Sequence, residues 1–186
     1  MKTLSICVVV LAILMGPRAK GAVVLVDFEA VTSGVVVLPY FEDGFELSVD
    51  TFAAVFAPGG GFPMTGNPTA YVAFEEIAVI TLALEAGGSF DLNQVMLGPN
   101  DFAAASSVEI TLTGSLAGGG TVMQTFSGLT TATVVNPVGF DDVTSVTFTT
   151  SDDAGIDNIV LDVIPEPALS SLLLISLFAV AFRRRS

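Results

Sequence analysis

The chain has 186 residues, 52% hydrophobic and 13% charged, with a formal net charge of -13 and one cysteine. Its six basic residues sit at the ends (Lys2, Arg18 and Lys20; Arg183, Arg184 and Arg185), and its nineteen acids fall between Asp27 and Glu166. The acidic stretch therefore forms no side-chain salt bridge, offers phosphate no cation, and supplies no His or Lys for a triad, a Schiff base or a P-loop, which excludes nucleic-acid partners and most catalytic chemistries.

The first segment, MKTLSICVVVLAILMGPRAKGA, has the layout of a secretory signal. Lys2 gives the positive n-region, and Leu4 to Met15 form an apolar core of the usual length. Gly16 and Pro17 break the helix, and Ala19-Lys20-Gly21 places small residues where a signal peptidase cuts. Cleavage is expected close to Gly21 and Ala22, so that 1–21 is the signal peptide. The other reading is an uncleaved anchor. Cys7 falls inside this segment, leaving the mature chain without a thiol or a disulfide.

Residues 22–163 carry strand signals in succession: AVVLVDFEA, GFELSV, AYVAF, AVITLAL, GSFDLNQVML, SVEITLT, TVMQTFSG, VTSVTFTT and GIDNIVLDVI. In several of them apolar side chains recur at every second residue. Val108, Ile110 and Leu112 share one face, as do Val146 and Phe148, and Ile159, Leu161 and Val163. Leu116 to Thr121 contains three glycines and is expected to be a hairpin turn. Gly59-Gly60-Gly61 is expected in a surface loop. No helical period of useful length occurs between the two ends. This pattern predicts an all-β domain, a jelly-roll β-sandwich of about eight or nine strands, with a core large enough to stand alone.

The last segment is VIPEPALSSLLLISLFAVAFRRRS. Pro165 and Pro167 cannot lie within a regular helix, so a helix is expected to start after them, over 168–182. At 1.5 Å per residue it spans roughly 22 Å, which arginine snorkelling and local thinning would extend across a bilayer core of about 30 Å. Arg183, Arg184 and Arg185 would hold the basic end, 183–186, on the cytoplasmic side. The competing reading is a terminal helix packed on the domain. The order of Pro165, Glu166 and Pro167, a short apolar helix and an arginine cluster resembles the PEP-CTERM sorting signal, covering 164–186. That resemblance implies recognition by an exosortase, removal of the tail, and transfer of the domain to the cell surface or extracellular polymer.

The domain opens on Val26-Asp27-Phe28-Glu29 and closes on Gly155-Ile156-Asp157-Asn158-Ile159. This pairing resembles MAM-type and carbohydrate-binding-module jelly rolls. The resemblance implies that the first and last strands lie side by side near a structural cation, with Glu29 and Asp157 as calcium ligands. The residues themselves leave two readings open. Asp157 has the parity of Ile159, Leu161 and Val163, which would turn it inward. A carboxylate there needs either backbone N–H donors or a cation, and Ser151, Asp152 and Asp153 offer further oxygens nearby.

Paired carboxylates are the surviving catalytic option. Glu75-Glu76 and Asp141-Asp142 are adjacent, so on a strand they point to opposite faces and make poor pairs. The expected function is that of an exported, non-enzymatic cell-surface or matrix protein, handled by signal peptidase and exosortase and held in the membrane by its C-terminal helix before processing. The alternative is a carbohydrate-binding module holding extracellular polysaccharide. With no Trp in the chain, stacking on sugar rings would fall to Tyr40, Tyr71 and the phenylalanines.

Overall fold

The computed structural model describes residues 21–58, 64–101, 103, 105 and 107–165. In chain order the strands are β1 (Val23–Val26), β2 (Val35–Val37), β3 (Tyr40–Glu42), β4 (Phe45–Val49), β5 (Ala53–Phe56), β6 (Tyr71–Phe74) and β7 (Ile80–Leu84). They continue with β8 (Ser89–Pro99), β9 (Val108–Leu116), β10 (Thr121–Leu129), β11 (Thr133–Val135), β12 (Val143–Thr150) and β13 (Ala154–Ile164). Among the described residues there is no helix, and the domain is an all-β sandwich, as the alternation predicts.

One layer runs β2-β5-β6-β13-β8, with β11 on the outer side of β8. β1 pairs with β13 beyond the stretch that β6 occupies, Val26 lying opposite Ile159. The first and last strands are thus neighbours. The other layer runs β3-β4-β7-β12-β9-β10. All these pairings are antiparallel, and the two ladders touch at Val143 opposite Phe90.

The alternation becomes the core directly. Val108, Ile110 and Leu112 of β9, Val146 and Phe148 of β12, and Ile80 and Leu82 of β7 are buried from one layer. Phe90, Leu92, Val95, Leu97, Ile156, Ile159 and Leu161 are buried from the other, in one continuous cluster. Phe45 meets Phe90 across the interface edge-on, with ring centroids 5.2 Å apart, the arrangement favoured by the aromatic quadrupole. The predicted hairpin turn joins β9 to β10, where Gly119 and Gly120 take φ near +89 and +88, a region that glycine enters without strain.

The layer holding β13 is also covered on its outer side. Met64, Tyr71 and Ala73 form a second buried cluster there, with Phe56, Met96 and Ala132 packed on it. A Cβ on Gly155 would come within 2.9 Å of Met64 and Tyr71, so only glycine lets the 64–70 segment lie flat on the sheet. This outer cover positions both sites described next.

Candidate functional site

Four strand ends meet at one rim of the covered layer. Ala53 pairs with Phe74, and Ala154 pairs with both Phe74 and Pro99, so the ends of β5, β6, β13 and β8 stand side by side. The residues just beyond those pairings, Phe52, Glu75, Asn100 and Asp153, line a cleft of about 260 Å³ together with Phe56 of β5 and Ala73 and Phe74 of β6. Phe52 is 53% exposed at the mouth. Phe56 stacks on Tyr71 at 5.9 Å with an interplanar angle of 22°, which fixes its ring as a wall.

The polar side of the cleft is made of acceptors and one amide. Asn100 is buried, and its side chain donates to the Ala154 carbonyl at 3.5 Å. Its backbone N–H donates to the Asp153 carbonyl at 3.3 Å, tying the end of β8 to the loop before β13. Burial pushes the Asp153 carboxyl above the usual carboxylate range, helped by the neighbouring charges of Asp152, Glu75 and Glu76. Asp152 accepts from the backbone N–H groups of Asp153 at 2.8 Å and Ala105 at 2.6 Å, and so holds the loop in shape. An exposed aromatic face beside carboxylate and amide groups suits a ligand with an apolar ring face and hydroxyl edges.

The Glu29–Asp157 pair occupies a different corner of the same layer. Asp157 is fully buried, and one of its oxygens accepts from Asn67 Nδ2 at 2.8 Å, Thr69 Oγ1 at 2.7 Å and Asn158 Nδ2 at 2.9 Å. The other accepts from the Asn158 backbone N–H at 2.6 Å. Glu29 accepts from the backbone N–H of Ala70 at 3.3 Å, and the adjacent Thr69 thereby links the two carboxylates. Desolvation raises the Asp157 pKa to about 6, although three of its hydrogen bonds favour the charged form; the Glu29 charge adds to the rise.

The inward orientation expected of Asp157 is corrected here. Asn158 has φ near +48, and the β13–β8 register shifts between Asp157 and Val160. This bulge resets the alternation, so Ile156 and Ile159 both enter the inter-sheet core. Asp157 instead shares the outer face of Gly155, beneath the 64–70 segment. Asp152 and Asp153 are engaged at the cleft and add no oxygen to the network that surrounds Asp157. Two carboxylates and the side-chain oxygens of Asn67 and Thr69 lie close together, oxygens of the kind a hard cation takes, although Asp157 already accepts four hydrogen bonds there. No group of three or more acidic side chains that could hold a metal occurs among the described residues, so main-chain or water oxygens would complete any coordination shell.

Gly21 packs against the Val163 carbonyl with no room for a Cβ, and the Ala22 carbonyl accepts from the Val163 N–H at 3.1 Å. The expected cleavage bond therefore lies where the β1–β13 pairing begins. Pro165 is exposed just past β13. Glu166, Pro167, the expected helix over 168–182, Arg183, Arg184 and Arg185 lie outside the described residues, as does the Gly59-Gly61 run. No helix among the described residues is long and apolar enough to cross a membrane.

No protein-family description matches this chain, and no curated protein matches it. Three solved structures are similar to it at low identity. One is TmCBM61 in complex with beta-1,4-galactotriose, at 17% identity and a TM-score of 0.38, covering 66% of this chain and 93% of that one. Another is the CBM22-1 xylan-binding domain of Paenibacillus barcinonensis Xyn10C, at 10% and 0.41, covering 81% and 99%. The third is the C-terminal family 22 carbohydrate-binding module of Clostridium thermocellum Xyn10B, at 13% and 0.39, covering 80% and 98%.

Proposed function

We propose that this domain is a non-enzymatic module that holds extracellular polysaccharide, with the Phe52 cleft as the place of contact. The observation that carries this reading is the pairing of a half-exposed aromatic ring with Glu75, Asn100 and Asp153 in one open cleft. The C–H face of a pyranose ring stacks on such an aromatic, and its hydroxyls donate to carboxylate oxygens. The absence of any cation from 22–167 fits a neutral glycan better than an acidic one. The Glu29–Asp157 corner serves the same fold as a structural clamp, and calcium is its proposed occupant.

Delivery is part of the proposal. The N-terminal segment sends the chain out through signal peptidase. The C-terminal helix retains it in the membrane until an exosortase acts at Pro165-Glu166-Pro167, leaving the domain on the surface or in the matrix. Mass spectrometry of the protein from its native cells tests this part, since an intact C-terminus beyond Pro167 would refute processing there.

A glycan array tests the binding reading. The wild-type chain should retain neutral polysaccharides, and Phe52→Ala should lose at least about tenfold in affinity, roughly the 1–3 kcal/mol that one aromatic stacking partner supplies elsewhere. Because Phe52 is half exposed, that variant keeps the fold. Absence of binding to any glycan would leave the structural or adhesive surface role, and turnover of a chromogenic glycoside by the pure protein would reverse the non-enzymatic assignment.

A further inference from the structure

The second layer ends on β10, which pairs with β9 and with no other strand. At nine residues it is the longest edge in the described domain; of the other edge strands, β2, β3 and β11 have three residues each and β1 has four. Natural sheets blunt such edges with lysine, proline, a bulge or a short strand, because the outward N–H and C=O groups template further pairing. β10 holds no charged residue and no proline, and its one register shift lies at the far end, between Phe126 and Leu129. Apart from its ladder to β9, no backbone–backbone hydrogen bond among the described residues engages a residue of β10.

Charge placement says what can approach this edge. Every residue from Ile110 to Phe140 is uncharged, whereas 22–167 as a whole carries nineteen acids and no base. A second copy meeting any acid-bearing side brings carboxylates together with nothing to neutralise them. At β10 two copies meet without a like-charge contact. Met123 is 70% exposed there, with Thr121 and Thr125 exposed beside it, so apolar and hydroxyl groups would face their own counterparts.

We propose that β10 is a self-association edge, through which two copies pair antiparallel over Thr121–Thr125 about a two-fold axis at Met123. The second layers then join into one continuous sheet, six strands from each copy. The contact is isologous and closes on itself, so it yields dimers rather than filaments. Because the remainder of each copy repels the other, the association strengthens as salt screens the acids, the reverse of a contact built on ion pairs.

Sedimentation velocity of the full-length chain in mild detergent, at low salt and at about 0.5 M salt, tests the proposal. A dimer that grows with ionic strength is expected. Met123→Glu places like charges across the two-fold and should weaken association by up to about fivefold, as opposed like charges on paired strands do. Val36→Glu, on the β2 edge, should leave it unchanged. As a second readout, Met123→Cys, which faces its own counterpart on the two-fold, should cross-link in a Cys7→Ser background under mild oxidation. A monomer at every salt concentration, a dimer indifferent to Met123→Glu as the terminal helix alone would give, or failure of Met123→Cys to cross-link would overturn the proposal.

Discussion

Raising the pH from about 4 to about 7 should weaken this fold, and Asp157 supplies a defined part of the effect. Its carboxyl is fully buried, and desolvation lifts its pKa from 3.8 to about 6. The folded state therefore holds this proton more tightly than the unfolded chain does. The stabilisation is fully present below 3.8 and is lost as pH rises through about 6. A shift of about two units corresponds to about 3 kcal/mol at roughly 1.4 kcal/mol per unit. Acid breaks no compensating ion pair, since 22–167 contains no cation. Asp157→Asn removes the ionisation and retains a partner for the Asn158 N–H, while the Asn67 amide and Thr69 hydroxyl can turn to accept. Urea unfolding with chelator present, at about pH 4.5 and about pH 7.5, should show wild type losing about 2 kcal/mol more than the variant. Equal losses in the two proteins, or wild-type stability that rises with pH, would refute the reasoning.

Three further outcomes follow from the packing. Among the described residues the buried Tyr71 hydroxyl has no hydrogen-bond partner, so Tyr71→Phe should stabilise the chain by about 1 kcal/mol in urea titration; a loss would mean that the hydroxyl has a partner. Gly155→Ala pushes the Met64 side chain and the Tyr71 ring aside and should cost about 1–3 kcal/mol by the same assay, so a neutral result would show that the outer cover yields freely. Adding calcium in place of chelator should raise the thermal midpoint, and an unchanged midpoint would discard Glu29 and Asp157 as ligands.

The long strands were legible because each has one face in the core: β9 and β12 alternate in burial as they alternate in sequence. The short β2, β3 and β11 carry no such pattern, since they are edges with little or no buried face. β6 shows no alternation for the opposite reason, being buried on both faces under the 64–70 segment, and its Tyr and Val content marked it as a strand instead. The bulge that turns Asp157 outward had one local signal, the Asp157-Asn158 dipeptide, because asparagine tolerates positive φ. The cleft had none. Phe52, Glu75, Asn100 and Asp153 are far apart in the chain, and only the side-by-side ends of β5, β6, β8 and β13 bring them together.

The central claim is that sugar meets the domain at the Phe52 rim. Amide chemical-shift mapping of the labelled protein, titrated with an oligosaccharide retained on the array, addresses it most directly. Shifts confined to residues around Phe52, Phe56, Phe74, Glu75, Asn100 and Asp153 are predicted. Shifts confined to the hydroxyl-bearing outer face of β9, β10 and β12, with the rim silent, would contradict it.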